Sequence, residues 1–135
     1  MAMPDGLDEF TQGYLVAALW STNDESDESG GEPMDKTYDF DDIAPEALEK
    51  IKADCAKFTA DNGQYINREH CLNYSTTPEA RAGHDFWLTR NGHGAGFWDG
   101  DWSKESEAVL TVASKKFGEV NPYVGDDGKL YGFGE

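Results

Sequence analysis

The feature that most constrains this fold is a run of like charge. Between Asp24 and Asp42 stand nine acids (Asp24, Glu25, Asp27, Glu28, Glu32, Asp35, Asp39, Asp41 and Asp42) against one base, Lys36. Carboxylates at that density repel one another and are costly to remove from water without partners, so the stretch must stay solvated wherever the rest of the chain packs. Ser21 to Asp42 also contains Gly30, Gly31 and Pro33 and shows no sustained apolar period. The expectation is a single domain over 1–135 that carries an exposed acidic loop at about 21–42.

The rest of the charge sharpens this picture. Net charge is -16, and the excess lies early: residues 1–61 hold 16 acids and 4 bases, residues 62–135 hold 11 acids and 7 bases. Such a field repels nucleic acid and anionic membranes and draws in proteins with basic clefts. Arg81, Arg90, Lys104, Lys115, Lys116 and Lys129 are too few and too dispersed for a nucleic-acid footprint, so direct nucleic-acid binding is excluded. No apolar run approaches the ~20 residues that span a bilayer, and MAMPDGLDEF lacks a basic region followed by an apolar one. A cytoplasmic location follows as the expectation. Cys55 and Cys71 have no second pair, which argues against a zinc ribbon or a CxxC site and for two free thiols.

Periodicity predicts the elements. Leu7, Phe10, Tyr14, Ala17 and Ala18 recur at helical spacing over 7–20. A second helix starts at Pro45, with Ile43 and Leu48 placed as a staple, a stripe of Leu48, Ile51, Cys55 and Phe58, and a stop at Asn62-Gly63. A short helix over 64–73 ends at Ser75-Thr76-Thr77-Pro78. The β-rich run 84–90, the turn dipeptide Asn91-Gly92 and the return 93–98 predict a hairpin, whose three glycines require something pressed closely against them. Ser103 caps a helix over 104–117 with Val109, Val112, Ala113 and Phe117 inward and Gly118 at its end. A second hairpin, 120–124 with 129–133, turns at Gly125-Asp126-Asp127-Gly128. The predicted class is α+β: three or four helices packed on a small antiparallel sheet of about four strands, formed by the two hairpins.

The densest polar and aromatic cluster is HDFWLTRNGHGAGFWDGDW, residues 84–102, with three of the four tryptophans and two of the three histidines. One reading places His84 and His93 across the hairpin, with Asp85, Asp99 or Asp101 as oxygen ligands, because imidazoles plus a carboxylate suit zinc or iron. This is the alternative function: a small metal-binding module or metal-dependent enzyme centred on His84, His93, Asp99 and Asp101. A hydrolase would pair Ser103, Thr89 or Cys71 with His70, His84 or His93, but no elbow or oxyanion motif accompanies them. EF-hand frames starting at Glu25 and at Asp99 both fail, the first ending on Lys36 and the second placing Lys104 where glycine is needed.

The segments 84–102 and PYVGDDGKLY, 122–131, resemble small uncharacterised bacteriophage and prophage proteins that carry a HDFWLTRNGHGAGFWD-like run. That resemblance implies a phage setting, in which small acidic proteins inhibit host machinery, and it assigns no residue a role. Charge and setting together predict a non-enzymatic inhibitor without a cofactor. It would bind a host nuclease, restriction, CRISPR or repair complex through a surface that imitates the phosphate backbone. Its contact residues would be Asp24, Glu25, Asp27, Glu28, Glu32, Asp35, Asp39, Asp41, Asp42, Glu46 and Glu49. A second alternative is a phage accessory domain whose acidic loop is inert.

Overall fold

The structure is a computed structural model that describes residues 6–24, 32–36, 38–92 and 95–135, with the side chains of Asn23, Asp24 and Glu32 left aside. Four helices dominate it: α1 (Glu9–Ser21), α2 (Pro45–Asn62), α3 (Pro78–Arg90) and α4 (Lys104–Lys115). Two antiparallel ribbons accompany them, β1 (Asn23–Asp24) with β2 (Glu32–Pro33) and β3 (Tyr123–Val124) with β4 (Leu130–Tyr131), each strand two residues long. The ribbons belong to separate sheets. The chain is therefore mainly helical, and the predicted α+β sandwich on a sheet of about four strands is wrong.

The error lies in residues 84–98. Instead of a hairpin, residues 84–90 form the C-terminal half of α3, and residues 91–92 and 95–98 after it form no strand. Its start signal is upstream: the Thr77 side chain accepts from Ala80 N at 3.1 Å, Pro78 fills the first turn and Glu79 faces the helix dipole. Asp85 through Arg90 are all buried, so the helix has no polar face here to print a 3.6-residue period. Asn91-Gly92 serves as a helix stop, with Gly92 at φ +70 in the left-handed region, rather than as a hairpin turn. Gly96 does lie under pressure as expected, since a Cβ there would meet Thr89 Oγ1 at 2.4 Å.

α1 and α2 form where the sequence places them. Asp8 Oδ1 accepts from Thr11 N at 2.8 Å to cap α1, and Phe10, Tyr14, Leu15, Ala17, Ala18 and Leu19 are buried. α2 buries Ile51, Cys55 and Phe58 and runs on into a 3-10 turn, Gly63–Tyr65, so Gly63 ends the α-helix without turning left-handed. No helix forms over the rest of 64–73. α4 presents a different face from the expected one: Ser106, Leu110 and Ser114 are buried while Val112 is 58% exposed. The serines can turn inward because their hydroxyls donate to Tyr65 O at 3.0 Å and Leu110 O at 2.7 Å.

Tight crossing of α1 and α3 sets the centre of the molecule. A Cβ on Gly83 would lie 1.9 Å from Phe10 O, and one on Gly13 would lie 2.1 Å from Ala80 O, so the backbones touch where only glycine fits. Around that crossing an aromatic core assembles, with Phe58 stacked on Phe86 at 4.2 Å, Tyr14 edge-on to Trp87 at 5.2 Å and Phe133 beside Trp87 at 5.9 Å. Through its core Arg90 threads a guanidinium that makes four hydrogen bonds. It donates to Asp54 Oδ2 and Tyr14 Oη at 3.0 Å each, to Phe117 O at 3.0 Å and to Gly118 O at 2.8 Å. Among the described residues no helix is long and apolar enough to cross a membrane.

Candidate functional site

The predicted contact acids divide into three groups. Glu25, Asp27 and Glu28 lie outside the described residues, as do the side chains of Asp24 and Glu32, whose backbones pair in the first ribbon. Asp39 and Asp42 build a capping box around the 3-10 turn Phe40–Asp42: Asp39 Oδ1 accepts from Phe40 N and Asp42 Oδ2 from Asp39 N, both at 2.8 Å. These two carboxylates fix the entry to α2. Asp35 is half-buried in the 3-10 turn Met34–Lys36, while Asp41, Glu46 and Glu49 are exposed, Glu49 with Lys52 at 3.4 Å.

The fold then adds acids that sequence reasoning missed. Ala44 N donates to Leu130 O at 3.0 Å and Ile43 bridges Leu130, which fastens the start of α2 to β4. The turn of the second ribbon brings Asp126 and Asp127 to the same end of the molecule as Glu46. Their proximity registers on Tyr131, whose phenol donates to Asp127 Oδ2 at 2.7 Å. That hydrogen bond, with partial burial and the charges of Asp127 and Glu46 adding to it, pushes the phenol pKa up to about 12. Asp127 is held below the usual carboxylate range by the same bond and by Lys129 N, which donates to its Oδ1 at 3.0 Å. The signal for these acids was present in Gly125-Asp126-Asp127-Gly128, which sequence reasoning treated as turn chemistry alone.

No family model, curated protein or solved structure matches the chain.

The metal alternative meets a different arrangement. His93 lies outside the described residues, and Asp99 Oδ2 accepts from Gly96 N at 3.0 Å in a local turn. Asp101 is held by an arginine instead: Arg81 Nη2 lies 3.1 Å from both Asp85 Oδ1 and Asp101 Oδ2. The Asp85 carboxylate is fully buried and also accepts from Trp102 Nε1 at 2.8 Å, with His84 Nδ1 at 3.3 Å. Among the described residues no group of three or more His, Cys, Asp or Glu side chains can hold a metal.

Of the nucleophile pairs named from sequence, the structure joins one, His70 Nδ1 with Ser103 Oγ at 2.8 Å. Ser103 Oγ also accepts from Ser106 N at 3.3 Å as the cap of α4, so the hydroxyl is shared between the imidazole and the helix start. Both cysteines are buried free thiols, and burial pushes the Cys55 pKa far above the ordinary thiol value, which removes it as a nucleophile.

Proposed function

We propose that the chain is a phage-encoded, non-enzymatic inhibitor that acts in the host cytoplasm. It occupies the basic, nucleic-acid-binding surface of a host nuclease, restriction, CRISPR or repair complex. The observation that carries this reading is the union of two acidic segments about eighty residues apart. Glu46, close enough for its charge to act on Tyr131, and Asp126 and Asp127 in the turn before Tyr131 lie at the end latched by Ala44 and Leu130, with Asp41 two residues before the Ile43–Leu130 bridge, and none of the four forms a salt bridge with a described residue. Lys129 adds a positive charge beside Asp127 and leaves the end acidic. Such a surface accelerates encounter with a cationic cleft and competes with phosphate for the same lysines and arginines. The phage setting rests on the resemblance of residues 84–102, whose Asp85, Trp87, Arg90, Phe97 and Trp102 are buried and serve the scaffold.

The test is binding of the full chain to a panel of host nucleic-acid-processing complexes at increasing salt. Affinity that falls steeply with salt, and that falls again in the triple variant Glu46→Gln/Asp126→Asn/Asp127→Asn, is the expected result. Salt-independent affinity, or a triple variant that binds as the parent does, overturns the reading.

A further inference from the structure

A cleft of about 370 Å³ lies between α1 and α3, walled by Glu9, Val16, Thr76, Arg81 and His84 among others. Its electrostatics favour a cation. The charge of Arg81 is absorbed from behind the wall by Asp85, which is fully buried, and by Asp101, and Glu9, which has no ion pair with a described residue, is the carboxylate on the wall itself. Beyond His84, outside the cleft wall, the indole of Trp20 is 54% exposed and sits tilted against the His84 ring with centroids 6.0 Å apart, while Val16 one turn earlier is 47% exposed. A large exposed tryptophan beside an exposed valine is the surface a binding anchor has, and an indole face that is already planar and polarisable receives a guanidinium well. Glu9, Gln12, Val16 and Trp20 recur on one side of α1, so Glu9 and Trp20 are eleven residues apart, about 16 Å along the helix axis. That distance is the length of about five extended residues.

We infer that this cleft docks an arginine-bearing segment of the basic partner, with one guanidinium stacked on Trp20 and a second cation, about four residues on, against Glu9. The inference rests on the proposed inhibitor function and adds to it the part of the partner that is gripped. Asp85 and Asp101 neutralise Arg81 from behind, so the incoming guanidinium meets no net repulsion from it. The acidic end latched by Leu130 supplies long-range attraction, and the cleft supplies the short-range recognition that separates arginine from any other cation.

The probe is the peptide acetyl-Arg-Gly-Ser-Gly-Arg-amide, titrated into the full chain while the indole N–H of Trp20 is followed by proton–nitrogen NMR. Its control replaces both arginines by citrulline, which keeps the shape and removes the charge. A saturable shift of the Trp20 signal with the arginine peptide, and a response at least about fivefold weaker with citrulline, is expected. Trp20→Ala and Glu9→Gln, both at exposed side chains on an intact helix, should each weaken binding by about two- to fivefold, read at the Val16 methyls. A Trp20 signal unmoved by the arginine peptide, or moved equally by the citrulline one, overturns the inference. That failure leaves the salt-dependent binding of whole partners untouched. Conversely, the Glu46/Asp126/Asp127 variant should bind the peptide as the parent does, so failure of the inhibitor reading appears in the partner assay alone.

Discussion

Arg90 Nη1 and Asp54 Oδ2 meet at 3.0 Å with side chains only 3% and 8% exposed, a buried ion pair that ties α3 to α2. The pair is embedded in aromatic surface, with the guanidinium 5.6 Å from the Phe86 ring centroid and 5.5 Å from that of Phe117. A buried pair repays its desolvation only when the remaining donors are also used, and here four of the five guanidinium N–H groups meet oxygen atoms.

Removing one partner is therefore costly. Arg90→Met leaves the Asp54 carboxylate with Lys50 alone, at 3.0 Å, and strands two backbone carbonyls, and should lower stability by about 3 kcal/mol in urea denaturation. Asp54→Asn keeps the volume and one acceptor, and should cost less. Equal losses for the two substitutions would show that the ion pair is not what holds the helices.

Asp85 carries the same logic with three donors. Asp85→Ala leaves Arg81, Trp102 Nε1 and His84 without their shared acceptor, and the expected loss is about 3 kcal/mol or more. Trp102 fluorescence should shift in the same variant, because its indole N–H loses a 2.8 Å charged partner.

The glycine crossing gives a paired test. Gly83→Ala drives a methyl into the Phe10 carbonyl and should destabilise by about 3 kcal/mol or more. Gly63→Ala meets nothing within 4 Å and should be neutral or stabilising by up to about 1 kcal/mol. Thermal unfolding of the two variants side by side decides it.

These tests fall on parts of the fold that were unequally readable. α2 was plain because Pro45, the Ile43 position and a one-sided apolar stripe agree with one another. α3 was not, because its run Asp85–Arg90 is buried without a break and shows no alternation of polar and apolar residues, and valid start signals at Thr77 and Pro78 resembled the end of something earlier. The α4 face went astray for a local reason: serines whose hydroxyls bond nearby carbonyls can be buried, while a valine, Val112, is left outside. The acidic site was half visible. Asp41 and Glu46 stood out by charge, but their company with Asp126 and Asp127 depends on a long-range backbone bond that no local pattern encodes.

Ionisation of the ribbon supplies a pH test. One phenol, that of Tyr131, should titrate near pH 12 instead of about 10, and Asp127→Asn should return it to the ordinary range. The sign follows from each shift. Tyr131 contributes to folding below about pH 10 and loses that contribution as pH rises through its folded value. Asp127, held low, contributes above the ordinary carboxylate pKa of about 3.9 and loses it as pH falls through the folded value. Ultraviolet difference titration of parent and variant reads the first directly.

Cys55 and Cys71 are buried, and neither should react with a thiol reagent until the chain unfolds. Reaction in step with unfolding in urea is the expected outcome. Fast modification of the native protein would contradict the packing of α2 around Cys55 or of the Cys71–Trp102 bridge.

The latch between Ala44 and Leu130, with Phe133 packed on Trp87, has a consequence for how the protein is born. During translation α1, α2 and α3 all leave the ribosome before the residues that seal them. A nascent chain halted near residue 120 carries Ile43 and Trp87 without their cover, open to chaperones and proteases. Emergence of residues 130–133, rather than formation of any helix, is the step at which Ile43 and Trp87 gain that cover.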